Sequence, residues 1–194
     1  MRTRATVTTL AAAAALALTG CGPEPDVNTK PDPKAPASKS EAAPAPEATK
    51  EAPKEETAAV GDTLTLKGNL DGEQLAVTLK KWADPAKSAD DFMKPAQGKR
   101  WVAAQFELRN TGTAVYDDSP SNGVQVADVD GQRFMSTFGE ITEGPSMASG
   151  LKLPKGEKAL GWIVLEVPKA SKIASVQFTM NSGFSNQTGQ WSVK

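Results

Sequence analysis

The feature that most constrains folding is a period-two alternation of apolar and polar side chains between residues 60 and 194. In the clearest stretch, Val102, Ala104, Phe106 and Leu108 fall on one face of an extended chain. Shorter alternating runs occupy residues 63–66, 75–80, 124–126 and 176–180, and residues 160–167 form a nearly continuous apolar run. This pattern predicts β-strands with one buried face, and it places Phe106 in the core.

Turn signals separate the runs. Asp71-Gly72 lies between the first two, and Asp130-Gly131 predicts a tight hairpin between two later ones. Pro154-Lys155-Gly156 precedes the long apolar run, and Pro168 ends it. Strands at this spacing favour an all-β fold, an immunoglobulin-like antiparallel β-sandwich of seven to nine strands spanning residues 60–194.

Residues 21–59 have a different composition. This stretch contains eight of the chain's 14 prolines among Ala, Glu and Lys, and Val27 is its only large aliphatic residue. Such a segment buries too little apolar surface to offset the entropy of ordering it, so we expect a disordered tether. A proline-rich ligand for another protein module is the alternative function.

The N-terminus carries a secretory pattern: Arg2 and Arg4, an apolar run from Val7 to Leu18, and small residues before Cys21. The run is too short for a transmembrane helix, which needs about 20 residues. Leu18-Thr19-Gly20-Cys21 resembles the lipobox of bacterial lipoproteins. The resemblance implies a signal peptide over residues 1–20, cleavage between Gly20 and Cys21, and a diacylglycerol thioether with further acylation (palmitate) on Cys21. The implied location is the outer face of the bacterial cytoplasmic membrane. The alternative is an ordinary secretory signal with an incidental cysteine.

Charge and composition exclude several classes of function. Removal of residues 1–20 leaves 20 Lys+Arg against 23 Asp+Glu, a balance that argues against a nucleic-acid partner. The chain has no histidine, which excludes Ser-His-Asp and Cys-His catalysis and His-ligated zinc. A Ser–Lys pair is compatible with the composition, but the motifs that accompany it in known enzymes are missing.

Acidic pairs are the remaining candidates for metal binding. Asp90-Asp91 and Asp117-Asp118, together with Asp84, are weak candidate calcium ligands in loops, because calcium prefers hard oxygen ligands. The stretch Asp128–Gly131 fits a hairpin better than a calcium loop, because the loop positions that require carboxylates hold Val126 and Thr137. We therefore expect no cofactor besides the lipid on Cys21, with calcium as an open alternative.

The four tryptophans divide by strand parity. Trp191 shares a face with Val193 and is predicted to lie in the core. Trp82, Trp101 and Trp162 fall opposite the apolar face of their strands, which makes them candidates for an exposed partner-binding surface. The alternative is that the segments Ala83–Gly98 and Phe138–Ser149 cover these rings.

Four stretches together carry a family resemblance: Val60–Asp62, Arg100–Gly112, Asp130-Gly131 and Pro154–Pro168. They look like the telokin-like, immunoglobulin-like domain of unknown function found in surface lipoproteins of Gram-positive, actinobacterial-type bacteria. The resemblance implies an extracytoplasmic β-sandwich and supplies no catalytic residues. The expected function is a membrane-anchored, non-catalytic module that binds a protein or an envelope polymer. The alternatives are an envelope enzyme or its accessory subunit, and a structural spacer.

Overall fold

The structure is a computed structural model that describes residues 58–194. It contains short 3-10 turns at Pro120–Gly123 and Asn181–Gly183. The strands in this range are β1 (Ala58–Ala59), β2 (Thr63–Lys67), β3 (Gln74–Ala86), β4 (Lys99–Asn110), β5 (Tyr116–Asp118), β6 (Val124–Asp128), β7 (Arg133–Thr137), β8 (Leu151–Leu153), β9 (Lys158–Pro168), β10 (Ile173–Thr179) and β11 (Thr188–Ser192). The predicted all-β class is confirmed.

Nine of these strands form one sheet in the order β1-β11-β10-β6-β7-β9-β4-β3-β2, and β5 pairs with β8 in a separate ribbon. All pairs are antiparallel except β1 with β11. β7 pairs with β6 through residues 133–135 and with β9 through Ser136 and Thr137. It therefore joins the two halves of the sheet, which face each other across the core.

We call the hydrophobic core between the two halves the inner cluster. At its centre, the ring of Phe106 on β4 lies 5.5 Å from that of Phe178 on β10 and 5.7 Å from that of Trp191 on β11, measured between centroids. All three side chains are fully buried. The Nε1–H group of Trp191 donates a hydrogen bond to the carbonyl of Asp62, 3.0 Å away. The parities predicted for Phe106 and Trp191 are therefore confirmed.

A bulge in β3 corrects the prediction for Trp82. Leu79 pairs with Phe106, but Lys81 pairs with Gln105, so Lys80 is an extra residue in the strand. The extra residue reverses the alternation after it. Trp82 consequently lies opposite Ala104, half-buried against the inner cluster rather than on the outer face.

The hairpin predicted at Asp130-Gly131 connects β6 and β7. Gly131 has a φ of 82°, which glycine adopts without strain, and its N–H donates to the carbonyl of Asp128. The Asp128 side chain accepts hydrogen bonds from the N–H groups of Asp130 and Gln132 at 3.0 and 2.8 Å. This carboxylate thus shapes the turn, as the hairpin interpretation requires.

Strand β1 lies just before the predicted boundary at Val60. Ala58 pairs with Trp191 and is buried, although in sequence it resembles the alanines of the tether. The predicted signal peptide, the cleavage position Gly20–Cys21, the lipid site at Cys21 and the tether up to residue 57 lie outside the described residues. Between residues 58 and 194, no helix has the length and hydrophobicity needed to span a membrane.

Candidate binding face around the outer tryptophans

A second hydrophobic cluster lies on the opposite face of β3, β4 and β9. We call it the outer cluster, and its buried members are Ala86, Trp101, Ala103, Ile141, Trp162 and Val164. In the strand register Trp101 pairs with Glu166 and Ala103 with Val164, so alternate positions on β4 and β9 point away from the inner cluster. The parity predicted for Trp101 and Trp162 is therefore confirmed.

An irregular segment, residues 138–149, covers this cluster; we call it the strap. Ile141 in the strap is 4% exposed and contributes its side chain to the outer cluster, whereas Met147, the strap's other buried residue, belongs to the inner cluster. The strap is joined to β9 by hydrogen bonds from the N–H of Met147 to the carbonyl of Trp162, at 2.8 Å, and from the N–H of Trp162 to the carbonyl of Pro145, at 2.9 Å. The N–H of Thr142 likewise donates a hydrogen bond to the carbonyl of Lys87, just beyond β3.

Two glycines allow the strap to approach the tryptophan rings closely. A Cβ atom at Gly139 would lie 2.7 Å from Cη2 of Trp101, and one at Gly144 would lie 3.0 Å from Nε1 of Trp162. Both distances are shorter than ordinary van der Waals contact, so a side chain at either position would push the strap away from the cluster.

The strap corrects the prediction of exposed aromatic rings. Trp101 is 3% exposed and Trp162 is 4% exposed, so neither indole offers a free stacking surface. For these two residues the alternative interpretation holds, because a loop segment covers both rings. Their Nε1–H groups are buried and have no hydrogen-bond partner among residues 58–194.

The acidic candidates do not come together. Asp84 pairs with Arg100, Asp91 with Lys94 and Asp117 with Lys152. The carboxylate of Asp90 accepts from the N–H of Phe92, and that of Asp118 accepts from the N–H and hydroxyl of Ser182. Within residues 58–194, no group of three or more potential ligands is placed to hold a metal ion.

Beside Trp101, a cavity of about 570 Å³ opens at the edge of the outer face. We call it the proline groove. Its apolar lining consists of Pro85, Ala86, Pro95, Ala96 and Trp101, and its polar lining of Gln97, Gly98, Lys99, Arg100 and Lys169. The volume lies within the range typical of ligand sites, about 300–1,000 Å³.

Arg100 fixes one wall of the groove. Its guanidinium donates two hydrogen bonds to the Asp84 carboxylate at 2.6 and 2.8 Å, which raise the pKa of Arg100. Further donors reach the carbonyls of Pro168, Lys169 and Ser171 at 2.7, 3.2 and 3.0 Å. One side chain thus connects the end of β3, the start of β4 and the turn after β9.

The other wall, residues 95–98, is held by backbone hydrogen bonds. The N–H of Ala96 donates to the Glu166 carboxylate, and the carbonyl of Ala96 accepts from the N–H of Lys99. The N–H of Lys169 donates to the carbonyl of Gly98, at 3.0 Å. Since both walls are fixed in this way, the groove is formed without a ligand.

Sequence reasoning did not identify the groove. An irregular segment is indicated by Pro85, Pro95 and Gly98. No local pattern shows that Lys169, about 70 residues later, lies beside it. Only the pairing of β4 with β9, which sets Lys99 opposite Pro168, brings these residues together. The sequence likewise gives Arg100 no role beyond the first position of the family-like stretch Arg100–Gly112.

The comparisons with known proteins identify a family. A family profile described as "Domain of unknown function (DUF4352)" matches residues 68–189. The chain belongs to this family. The match spans β3 to β10 and therefore includes the outer cluster, the strap and the groove, but it leaves out Leu66 and Trp191 of the inner cluster. The domain of unknown function suggested by the sequence is confirmed at this level, whereas the telokin-like and Gram-positive lipoprotein details stay predictions.

No curated protein matches the chain. Among solved structures, the chain is similar to the secreted protein MPT63 of Mycobacterium tuberculosis, with 18% identity over 73% of this chain and 99% of that one, at a TM-score of 0.48. A putative lipoprotein of Bacillus subtilis subsp. subtilis str. 168 is 14% identical over 66% of this chain and 39% of that one, at 0.47. An uncharacterized β-sandwich protein of Clostridium difficile 630 is 11% identical over 76% and 100%, at 0.43. All three scores are below 0.5, so the fold described above rests on this chain's own strand pairing.

Proposed function

We propose that this member of the DUF4352 family is a lipoprotein held by Cys21 at the outer face of the bacterial cytoplasmic membrane, where its β-domain binds a partner without catalysing a reaction. The anchor is inferred from the signal and lipobox pattern of residues 1–21. In this proposal, residues 22–57 let the domain reach a partner away from the bilayer surface.

The observation that carries the binding role is the proline groove. It is about 570 Å³ in volume, open, lined partly by apolar side chains and fixed along one wall by Arg100. A preformed surface of this kind loses little conformational entropy on binding. The chain has no histidine, and the acids near the groove are engaged by Arg100 and by the N–H of Ala96, so the groove has the features of a binding site rather than of an acid–base site.

Site-specific crosslinking tests the binding role. A photoreactive amino acid replaces Gln97 in the groove or, as a matched control, exposed Asn186 in a loop at the opposite end of the domain. In living cells that carry the full lipid-anchored chain, we expect a discrete adduct from position 97 and none of the same mass from position 186. Identical products from both positions, or none from position 97, would refute binding at the groove and favour a spacer.

Detergent phase partitioning tests the anchor. We expect the wild-type chain to enter the detergent phase and the mature form of Cys21→Ser, residues 21–194, to remain in the aqueous phase, because two acyl chains hold a protein on a bilayer stably and none remain in the variant. Equal partitioning of the two proteins would refute lipidation at Cys21.

A further inference from the structure

We propose that the proline groove binds an extended, acidic, proline-containing peptide segment of a partner protein. This inference rests on the binding role proposed above and adds the chemistry of the ligand. Two properties of the groove support it: its charge and its apolar lining.

The charge of the groove is positive and available. Lys99 and Lys169 line it, and neither forms an ion pair with a residue in the range 58–194. Arg100 contributes no free charge, because Asp84 neutralises it. The other carboxylate nearby, Glu166, accepts a hydrogen bond from the N–H of Ala96. Two lysines on different chain segments of the lining, neither paired with a carboxylate in this range, therefore favour an anionic ligand.

The apolar lining distinguishes a peptide from a simple polyanion. Pro85, Pro95 and Ala96 present ring and methyl carbons along the groove, beside the buried Trp101. A polyphosphate has no apolar surface to bury against these groups. A peptide with proline does, and it already favours the extended polyproline conformation, so it loses little entropy when it docks on a groove lined by proline and alanine.

Trp101 provides a reporter for the groove. Its side chain lies in the groove wall, and its Nε1–H is buried without an acceptor in residues 58–194. Because this atom is covered in the free protein, a ligand would lie beside the indole and would not bond to the N–H itself. The indole ¹H–¹⁵N resonance of Trp101 should nevertheless shift when a ligand fills the groove.

Titration with three peptides tests the proposal. The protein is the mature chain, residues 21–194, with Cys21→Ser to keep it in solution, and the probe is a synthetic peptide of alternating glutamate and proline. Two matched peptides replace every glutamate by lysine or every proline by glycine, and inorganic polyphosphate is the fourth probe. Calorimetry gives affinities, and the ¹H–¹⁵N spectrum of the indole groups reports the site.

We expect the glutamate–proline peptide to bind most tightly, to weaken with added salt and to shift the Trp101 indole resonance but not that of Trp191. The lysine peptide should not bind, and the glycine peptide should bind more weakly. Lys99→Glu with Lys169→Glu should weaken binding by about tenfold or more, since each rim charge contributes modestly and its sign is reversed. Lys67→Glu with Lys155→Glu, at the opposite end of the domain, is the matched control and should bind like wild type.

A second variant tests the space in the groove independently of its charge. Ala96 is exposed in the groove, and Ala96→Trp fills it without changing any charge. We expect this variant to keep its melting temperature and to lose peptide binding. Equal affinity for polyphosphate and peptide, unchanged binding by Ala96→Trp, or no binding of any peptide would overturn the proposed ligand class. A crosslinked adduct at Gln97 in that case would leave the binding role itself intact.

Discussion

The inner and outer clusters lie on opposite faces of the same strands, and their aromatic side chains are shielded from solvent in different ways. Phe106 and Trp191 in the inner cluster are 0% exposed and are enclosed by two halves of a sheet. Trp101 and Trp162 in the outer cluster are almost as buried, but a single irregular strap encloses them. Burial of an indole therefore does not require a second sheet.

The two clusters differ in the hydrogen bonding of their indole Nε1–H groups. The Nε1–H of Trp191 donates a hydrogen bond to the carbonyl of Asp62, so burial of this indole leaves no donor unpaired. The indoles of Trp101 and Trp162 have no acceptor within residues 58–194. A buried, unpaired donor costs about 1–3 kcal/mol, so the outer cluster should stabilise the domain less for a similar buried area.

Truncation in the inner cluster should have the largest effect. Phe106→Ala removes a ring that contacts Phe178 and Trp191, and the two sheet halves cannot collapse onto the space left behind. We expect the free energy of unfolding to fall by about 3–5 kcal/mol, measured by denaturant unfolding. A loss below about 1 kcal/mol would contradict the inner cluster as the main source of stability.

Truncation in the outer cluster should cost less. Ile141→Ala removes the side chain that the strap contributes to the outer cluster, and an irregular segment can partly fill the space. We expect a loss of about 2–4 kcal/mol, and less than for Phe106→Ala in the same experiment. The same variant should increase acrylamide quenching of tryptophan fluorescence. If quenching stayed at the wild-type level, Ile141 would not be what keeps solvent from the rings.

The close packing of the strap on Trp101 can be tested by adding a methyl group to the strap. Gly139→Ala places a Cβ 2.7 Å from Trp101, and we expect a loss of about 1–3 kcal/mol from overpacking. Gly150→Ala, just after the strap, is the matched control, because its Cβ would meet nothing within 4 Å. Equal stabilities of the two variants in thermal melts would show that the strap does not press on the ring.

The inner cluster also contains a titratable group, Tyr116. Burial first, and then the nearby Asp118 carboxylate, raise the pKa of Tyr116 above its ordinary value near 10. The unfolded chain therefore releases this proton above about pH 10 while the folded protein retains it, so stability is full below that pH and falls as pH rises. The fall is at most about 1.4 kcal/mol per pH unit. Tyr116→Phe should reduce this pH dependence in denaturant unfolding, and an unchanged slope would contradict the assignment.

The smallest effect is spectroscopic. We expect the indole proton of Trp191 to resonate downfield of those of Trp101 and Trp162, because a hydrogen bond to a carbonyl deshields it. A ¹H–¹⁵N spectrum assigned with single Trp→Phe variants measures the three positions. Downfield shifts for all three indoles would show that the outer pair has acceptors as well, and the comparison between clusters would then lose its polar basis.

The sequence by itself determined the features that depend on neighbours along the chain. Alternation in residues 102–108 predicted the face on which Phe106 lies, and Asp130-Gly131 predicted the hairpin, because side-chain period and turn chemistry are local properties. The all-β class followed from the same patterns. Parity also placed Trp101 and Trp162 on the face away from the core. For Cys21, Gly20 and the tether up to residue 57, the sequence remains the basis of the predictions.

Only the tertiary structure decided the features that depend on residues far apart in the chain. Parity cannot reveal the bulge at Lys80 that turns Trp82 back towards the core, because the extra residue shows only in the pairing with β4. Nor can it show that a strap about 40 residues after Trp101 covers that ring. The groove likewise exists because β4 pairs with β9 and Arg100 reaches Asp84 and Pro168, and such contacts are fixed by packing rather than by local sequence.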